Sequence, residues 1–198
     1  MQSRFRVQTT GGLEAKGTMT IWMTRAAVRV VLGAGLTCLS VGAMAQTTGQ
    51  SDNLVATKTD WSVFTEEQPK ECWGVSSPKE TVNSRDGKPV SVKRSDILLF
   101  VTFRPGQAGG ETSFTGGYPF AGGSKVELNV DGTKFELNAD GEWAWAANAE
   151  DDARVLAALK KGGSAVLTAR SAKGTQTQDT FSLRGFTAAM TEAGSRCK

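Results

Sequence analysis

Lys125-Val126-Glu127-Leu128-Asn129-Val130-Asp131-Gly132-Thr133-Lys134-Phe135-Glu136-Leu137 alternates apolar and polar residues on both sides of an Asp-Gly pair. A period of two marks a half-buried strand, and Asp-Gly favours a two-residue hairpin turn. Pairing Val130 with Thr133, Leu128 with Phe135 and Val126 with Leu137 brings every apolar residue to one face, which supports that register. A second turn follows at Ala139-Asp140-Gly141. As a three-residue loop with Gly141 left-handed, it would set Leu137 opposite Trp143 and Phe135 opposite Trp145. Both tryptophans would then share the face of Leu128 and Phe135. A two-residue loop would turn them to the opposite face. The three-residue loop is the expectation, because it extends one apolar face.

Outward from this hairpin the chain reads as more strands and one helix. Asp60-Trp61-Ser62-Val63-Phe64 opens the domain as a short strand, and Pro69 to Val75 follows. Turn-rich sequence surrounds Pro78 and Arg85-Asp86-Gly87-Lys88. Asp96 to Phe103 is a continuous apolar run of strand length, as expected of a central strand buried on both faces. Residues 106–124 hold seven glycines and read as loop, with room for a short edge strand. Asn148 to Lys161 is the one helix. Asn148 caps it, acidic residues fill its first turn, Lys160 and Lys161 its last, and Gly162 ends it. Ala165–Arg170 and Asp179–Leu183 are two further strands, and a short helical turn precedes Cys197. The expected fold is all-β, mainly antiparallel: a β-sandwich-like single domain with one α-helix.

Met23 to Gln46 has the form of a cleavable secretory signal. Arg25 and Arg29 precede the apolar stretch Val30–Val41, and Ala43-Met44-Ala45 is the small-residue cleavage site. The apolar stretch is too short for a transmembrane helix, which needs about 20 residues. Residues before Met23 read as an overextended start, with Met19 or Met23 as initiator, the alternative being a real, unusually long n-region. The expected organisation is a leader over 1–45 (signal proper 23–45), a flexible segment over 46–59 and a domain over 60–198. The expected place is the periplasm, free or attached to the outer membrane, with no transmembrane segment in the mature chain. The leader holds five of the 23 basic residues and one of the 20 acidic ones, so the remainder carries a net charge of −1. A nucleic-acid partner, which needs a clustered basic face, is not expected.

Cys38 leaves with the signal, so Cys72 and Cys197 are the two cysteines of the mature chain. In an oxidising compartment they are expected to form one structural disulfide. The chain has no histidine, which excludes Ser-His and Cys-His nucleophile pairs and histidine metal sites. Two thiolates do not complete a zinc site, so neither metal nor cofactor is expected. The nearest approach to paired carboxylates is Glu150, Asp151 and Asp152, and at a helix start these more often serve the dipole. Trp143 and Trp145, two apart on a strand, could stack on sugar rings, with Tyr118 as a third candidate; core packing is the blander reading. Arg170 and Arg184 could hold an anion, or be solvated surface.

Asp60-Trp61-Ser62-Val63-Phe64, Cys72-Trp73 and Tyr118-Pro119-Phe120 with Gly123-Ser124 resemble the invasion-associated locus B family. A stronger block runs from Ala169-Arg170-Ser171-Ala172-Lys173-Gly174-Thr175 through Asp179-Thr180-Phe181-Ser182-Leu183-Arg184-Gly185-Phe186 to Ala189. The resemblance spans about Trp61 to Cys197. It implies an exported all-β domain of a Gram-negative envelope and supplies no catalytic residues. The expected function is therefore that of a non-enzymatic periplasmic or envelope protein. It would act through contacts with an envelope or host-surface protein. The alternative is an envelope-glycan module using Trp143, Trp145 and Tyr118. Exposed, coplanar tryptophans would favour the glycan reading, and buried ones would remove it.

Overall fold

The computed structural model describes residues 53–198. The signal sequence, its cleavage site and residues 46–52 lie outside the described residues. In chain order the strands are β1 (Leu54–Lys58), β2 (Trp61–Glu67), β3 (Lys70–Ser76), β4 (Glu80–Arg85), β5 (Lys88–Pro89), β6 (Leu98–Phe103) and β7 (Glu111–Thr115). Then come β8 (Lys125–Val130), β9 (Thr133–Asp140), β10 (Trp143–Trp145), helix α1 (Ala149–Lys161), β11 (Ser164–Arg170), β12 (Gln176–Ser182) and helix α2 (Phe186–Arg196). The strands join in one antiparallel sheet in the order β1-β2-β3-β6-β7-β10-β9-β8-β11-β12-β4-β5.

The sandwich-like core is that one sheet bent over itself. Four strands separate β7 from β12 in the sheet order. Yet Phe114 of β7 meets Phe181 of β12 edge to face at 6.2 Å. Trp61 of β2 donates its indole N–H to the carbonyl of Ser182 at 3.0 Å. Trp61, Val63, Leu99, Val101, Phe114, Val126, Leu128, Leu137, Leu167 and Phe181 are buried on the concave side.

The β8–β9 hairpin has the expected register, Val130 to Thr133 and Leu128 to Phe135. Its tip also clamps a distant strand. The Asp131 carboxylate accepts the Gly163 N–H at 2.6 Å and both the N–H and hydroxyl of Ser164, so the turn holds the start of β11. Helix α1 is capped as expected: the Asn148 side chain accepts the N–H groups of Glu150 and Asp151, and Val155, Leu156 and Leu159 are buried.

Four expectations are corrected. The turn after β9 has two residues, pairing Trp143 with Asp140 and Ala144 with Ala139. Gly141 has φ +60° and Glu142 does not share the positive φ, as a type II′ turn requires. Ala144 therefore points inward, fully buried beside Phe114, where no tryptophan would fit, and both tryptophans face out. Second, the glycine-rich stretch contains β7, an interior strand between β6 and β10 rather than an edge. Third, Leu54–Lys58, within the stretch expected to be flexible, pairs with β2. Fourth, the C-terminal end is a second full helix. It buries Phe186, Ala189, Met190 and Ala193, with Trp61 meeting Phe186 edge to face at 4.8 Å. Gly185 starts α2 at φ +87°, and a Cβ there would lie 1.9 Å from the Lys58 carbonyl oxygen. The α2 chain enters against the end of β1 through that glycine.

The disulfide stands as expected. Cys72 on β3 is bonded to Cys197 just after α2, their Cα atoms 5.8 Å apart, and both residues are buried.

Candidate functional site

On the outer face of the sheet, β2, β3, β6 and β10 carry aromatic and aliphatic residues, and β7 between β6 and β10 presents the small residues Ser113 and Thr115. Residues that pair across strands share a face. Phe64 pairs with Trp73, and Val75 with Phe100. Phe100 pairs with Ser113 and Leu98 with Thr115; those two small residues sit opposite Trp145 and Trp143. Their chain neighbours Val63, Leu99, Val101, Phe114 and Ala144 all point inward and are fully buried. The outer row is therefore Phe64, Trp73, Val75, Leu98, Phe100, Trp143 and Trp145.

The rings form two stacked groups. Phe64 and Trp73 lie 5.8 Å apart at 10°. Trp143 and Trp145 lie 6.3 Å apart at 23°, and Phe100 packs against Trp143 at 5.6 Å. Trp143 is 38% exposed. The others are half-buried. Five strands at about 4.8 Å spacing make the strip roughly 20 Å wide. Both helices contribute buried residues to the concave core rather than covering this face. Charges rim it: Arg104 binds Glu71 at 2.6 Å and Glu111 at 3.3 Å along one end. Carboxylate partners hold the Arg104 guanidinium above its ordinary range against the opposing effect of burial. A shallow groove of about 340 Å³ continues from Phe64, Val75 and Leu98 to the Lys79–Asp60 ion pair at 2.6 Å.

The sequence-derived site residues do not come together. Trp143 and Trp145 share the outer row, while Tyr118 lies elsewhere. The Arg94 guanidinium sits 5.0 Å above its ring, and its hydroxyl meets Thr177. Burial pushes the Tyr118 phenol up, with the Thr177 bond opposing. Of the three acidic residues that open α1, Asp152 accepts the Thr112 N–H at 2.7 Å, Asp151 pairs with Arg154, and Glu150 is exposed. Burial pushes the Asp152 carboxyl up, while its bond from Thr112 opposes this. Arg170 and Arg184 are exposed, and their backbone carbonyls accept the N–H groups of Ala121 and Asp60. Among the described residues no group of three or more Asp, Glu, Cys or His could hold a metal ion. No helix among them is long and apolar enough to cross a membrane.

Sequence reasoning missed Phe64, Trp73 and Phe100 as partners of the tryptophans. It also missed one buried ion pair. Arg94, 6% exposed, binds Asp179, fully buried, through two bonds of 2.6 and 2.8 Å. Arg94 also donates to Asn83 and to the Gly116 carbonyl. Burial pushes the Asp179 carboxyl up and Arg94 pulls it back.

A bent antiparallel sheet with a disulfide-tied C-terminal helix and an aromatic outer face places the chain among disulfide-bonded all-β domains. The family comparison gives the particular kind. The model of the invasion associated locus B (IalB) protein family matches residues 61–194, and the chain belongs to that family. A solved structure, invasion associated protein b from Bartonella henselae, matches with a TM-score of 0.50 and 20% identity. The match covers 72% of this chain and 96% of the other, and it is a likeness of fold. No curated protein matches.

Proposed function

We propose that this is an exported, non-catalytic protein of the bacterial envelope, resident in the periplasm, which acts by docking its aromatic outer face on another protein. One observation carries the reading: seven apolar side chains, four of them aromatic rings in two stacked groups plus Phe100, occupy a sheet face that neither helix covers. An apolar centre with a charged rim is the usual anatomy of a protein interface, and Trp, Tyr and Phe are its usual anchors. The buried disulfide and the signal-like leader support export. The test is site-specific photo-crosslinking in intact cells. A crosslinker at Trp143 should give a discrete protein adduct that Phe100→Ser removes, and one at exposed Val82 on β4 should not. Equal adduct patterns from the two positions would reject this face.

A second reading rests on the near-parallel Trp143–Trp145 pair, which could stack on a neutral sugar. It predicts saturable binding of envelope oligosaccharides that Trp143→Ala abolishes.

A further inference from the structure

A second site lies beside the aromatic face, where the ends of β7 and β10 meet the β11–β12 turn, and it uses none of the aromatic row. The segment between β5 and β6 crosses the β11–β12 turn there and leaves a cleft of about 530 Å³. That volume is in the range of small-molecule sites. Its floor is Tyr118 beneath the Arg94 guanidinium. The turn is built by the Ser171-to-Thr175 block that carries the family likeness: the Ser171 hydroxyl accepts the Thr175 N–H at 3.1 Å, and the Ser171 N–H reaches the Thr175 carbonyl at 2.8 Å.

The cleft carries a net positive charge. Arg94 is neutralised by Asp179, so that pair adds no net charge. Three more cations line the cleft, Arg85, Lys93 and Lys173, against one carboxylate, Glu142. Among the described residues none of those three cations is in an ion pair. Arg85 is held in place by donating to the Thr175 hydroxyl oxygen at 2.8 Å, which leaves the Thr175 O–H free to donate. Like charges gathered at a concave surface repel one another and raise the local concentration of an anion. Val92, Pro119 and the Tyr118 ring add an apolar wall. Glu142 can accept hydrogen bonds from hydroxyl groups.

We infer that this cleft binds a small acidic sugar, with Lys93, Lys173 and Arg85 on its carboxylate or phosphate and Glu142 on its hydroxyls. A bare anion would gain nothing from Glu142 or the apolar wall, and a neutral sugar nothing from the three cations. The site shares no residue with the aromatic outer row, although Glu142 is the chain neighbour of Trp143.

The test is a ¹⁵N–¹H NMR titration of the disulfide-bonded protein with glucuronate, glucose 6-phosphate, glucose and inorganic phosphate. At least one acidic sugar should shift the amides of residues 92–95 and 171–175 saturably, and glucose should not. Glucuronate alone would assign a carboxylate site, and glucose 6-phosphate alone a phosphate site. Lys93→Gln with Lys173→Gln, both exposed side chains, should weaken that binding about tenfold or more. Lys125→Gln with Lys134→Gln should leave it unchanged. Three results would overturn the inference: no saturable shift from either acidic sugar at about 10 mM, equal binding of inorganic phosphate, or binding undiminished in the Lys93/Lys173 variant.

Discussion

Replacing Cys72 and Cys197 together by alanine should lower the melting temperature without changing the native structure. The bond closes a loop across 125 positions. Chain entropy for a loop of that length gives about 5 kcal/mol of stabilisation at 25 °C, all of it through the unfolded state. In a domain of this size each kcal/mol moves the melting temperature by roughly 3 °C, so a drop of about 15 °C is expected. The native state should survive, because α2 has its own anchorage: Phe186, Ala189, Met190 and Ala193 are buried without help from the sulfurs. The assay is thermal unfolding followed by near-ultraviolet circular dichroism, with the wild type under reducing conditions alongside the variant. Reduction without mutation keeps both side chains, so agreement between the two assigns the effect to the cross-link rather than to lost packing. A drop below about 5 °C would refute the loop argument. Loss of the near-ultraviolet signal at 25 °C would refute the claim that the helix docks on its own.

Asp179→Asn should destabilise by about 3–5 kcal/mol in denaturant titration, since it leaves Arg94 charged and buried. Arg94→Met with Asp179→Leu should recover most of that. Gly185→Ala should cost about 3 kcal/mol or more, combining a left-handed backbone with a contact that the Lys58 carbonyl cannot relieve, and hydrogen exchange should rise first in α2. The Asp131 carboxyl is held below the ordinary aspartate value, mainly by the Gly163 N–H. Its contribution is therefore present above about pH 3.9 and is lost as pH falls through the lower folded value. Asp131→Asn should flatten the acid limb of a stability-against-pH curve, and an unchanged limb would contradict the hydrogen bonds assigned to it.

What could be read in the sequence was local. The β8–β9 hairpin was legible because its period and its Asp-Gly turn agree, and α1 because its cap and charges agree. The next turn was not, since two loop lengths fit Ala139-Asp140-Gly141 equally well. The choice falls to Phe114, which lies on a strand 30 residues earlier and leaves room beside it for Ala144 alone. Strand β7 was hidden by flanking glycines and by having one large apolar residue, Phe114, in five. β4 is a polar strand near the sheet edge, with Val82 its one apolar residue and that one exposed, so no periodicity announces it. The disulfide was legible by counting cysteines. The aromatic row was half legible: Trp143 and Trp145 stand out, but Phe64, Trp73 and Phe100 join them only through pairings between distant strands. The acidic-sugar cleft is assembled from residues 85–95, 117–119, 142 and 171–177, and no single stretch carries its signature.

The bond from β3 to the chain end also has a mechanical side. A pull applied at the two termini cannot stretch the loop it closes. Among the described residues it can unravel only those outside the ring, 53–71 and Lys198. That is roughly 20 residues, or about 70 Å of slack, where the open chain of the described domain would yield about 500 Å. Within that slack lie β1 and β2, and with them Phe64. Under load the domain would shed one end of its aromatic face while the Phe100–Trp143–Trp145 end stayed inside the covalent ring. A reduced domain would have no such stop.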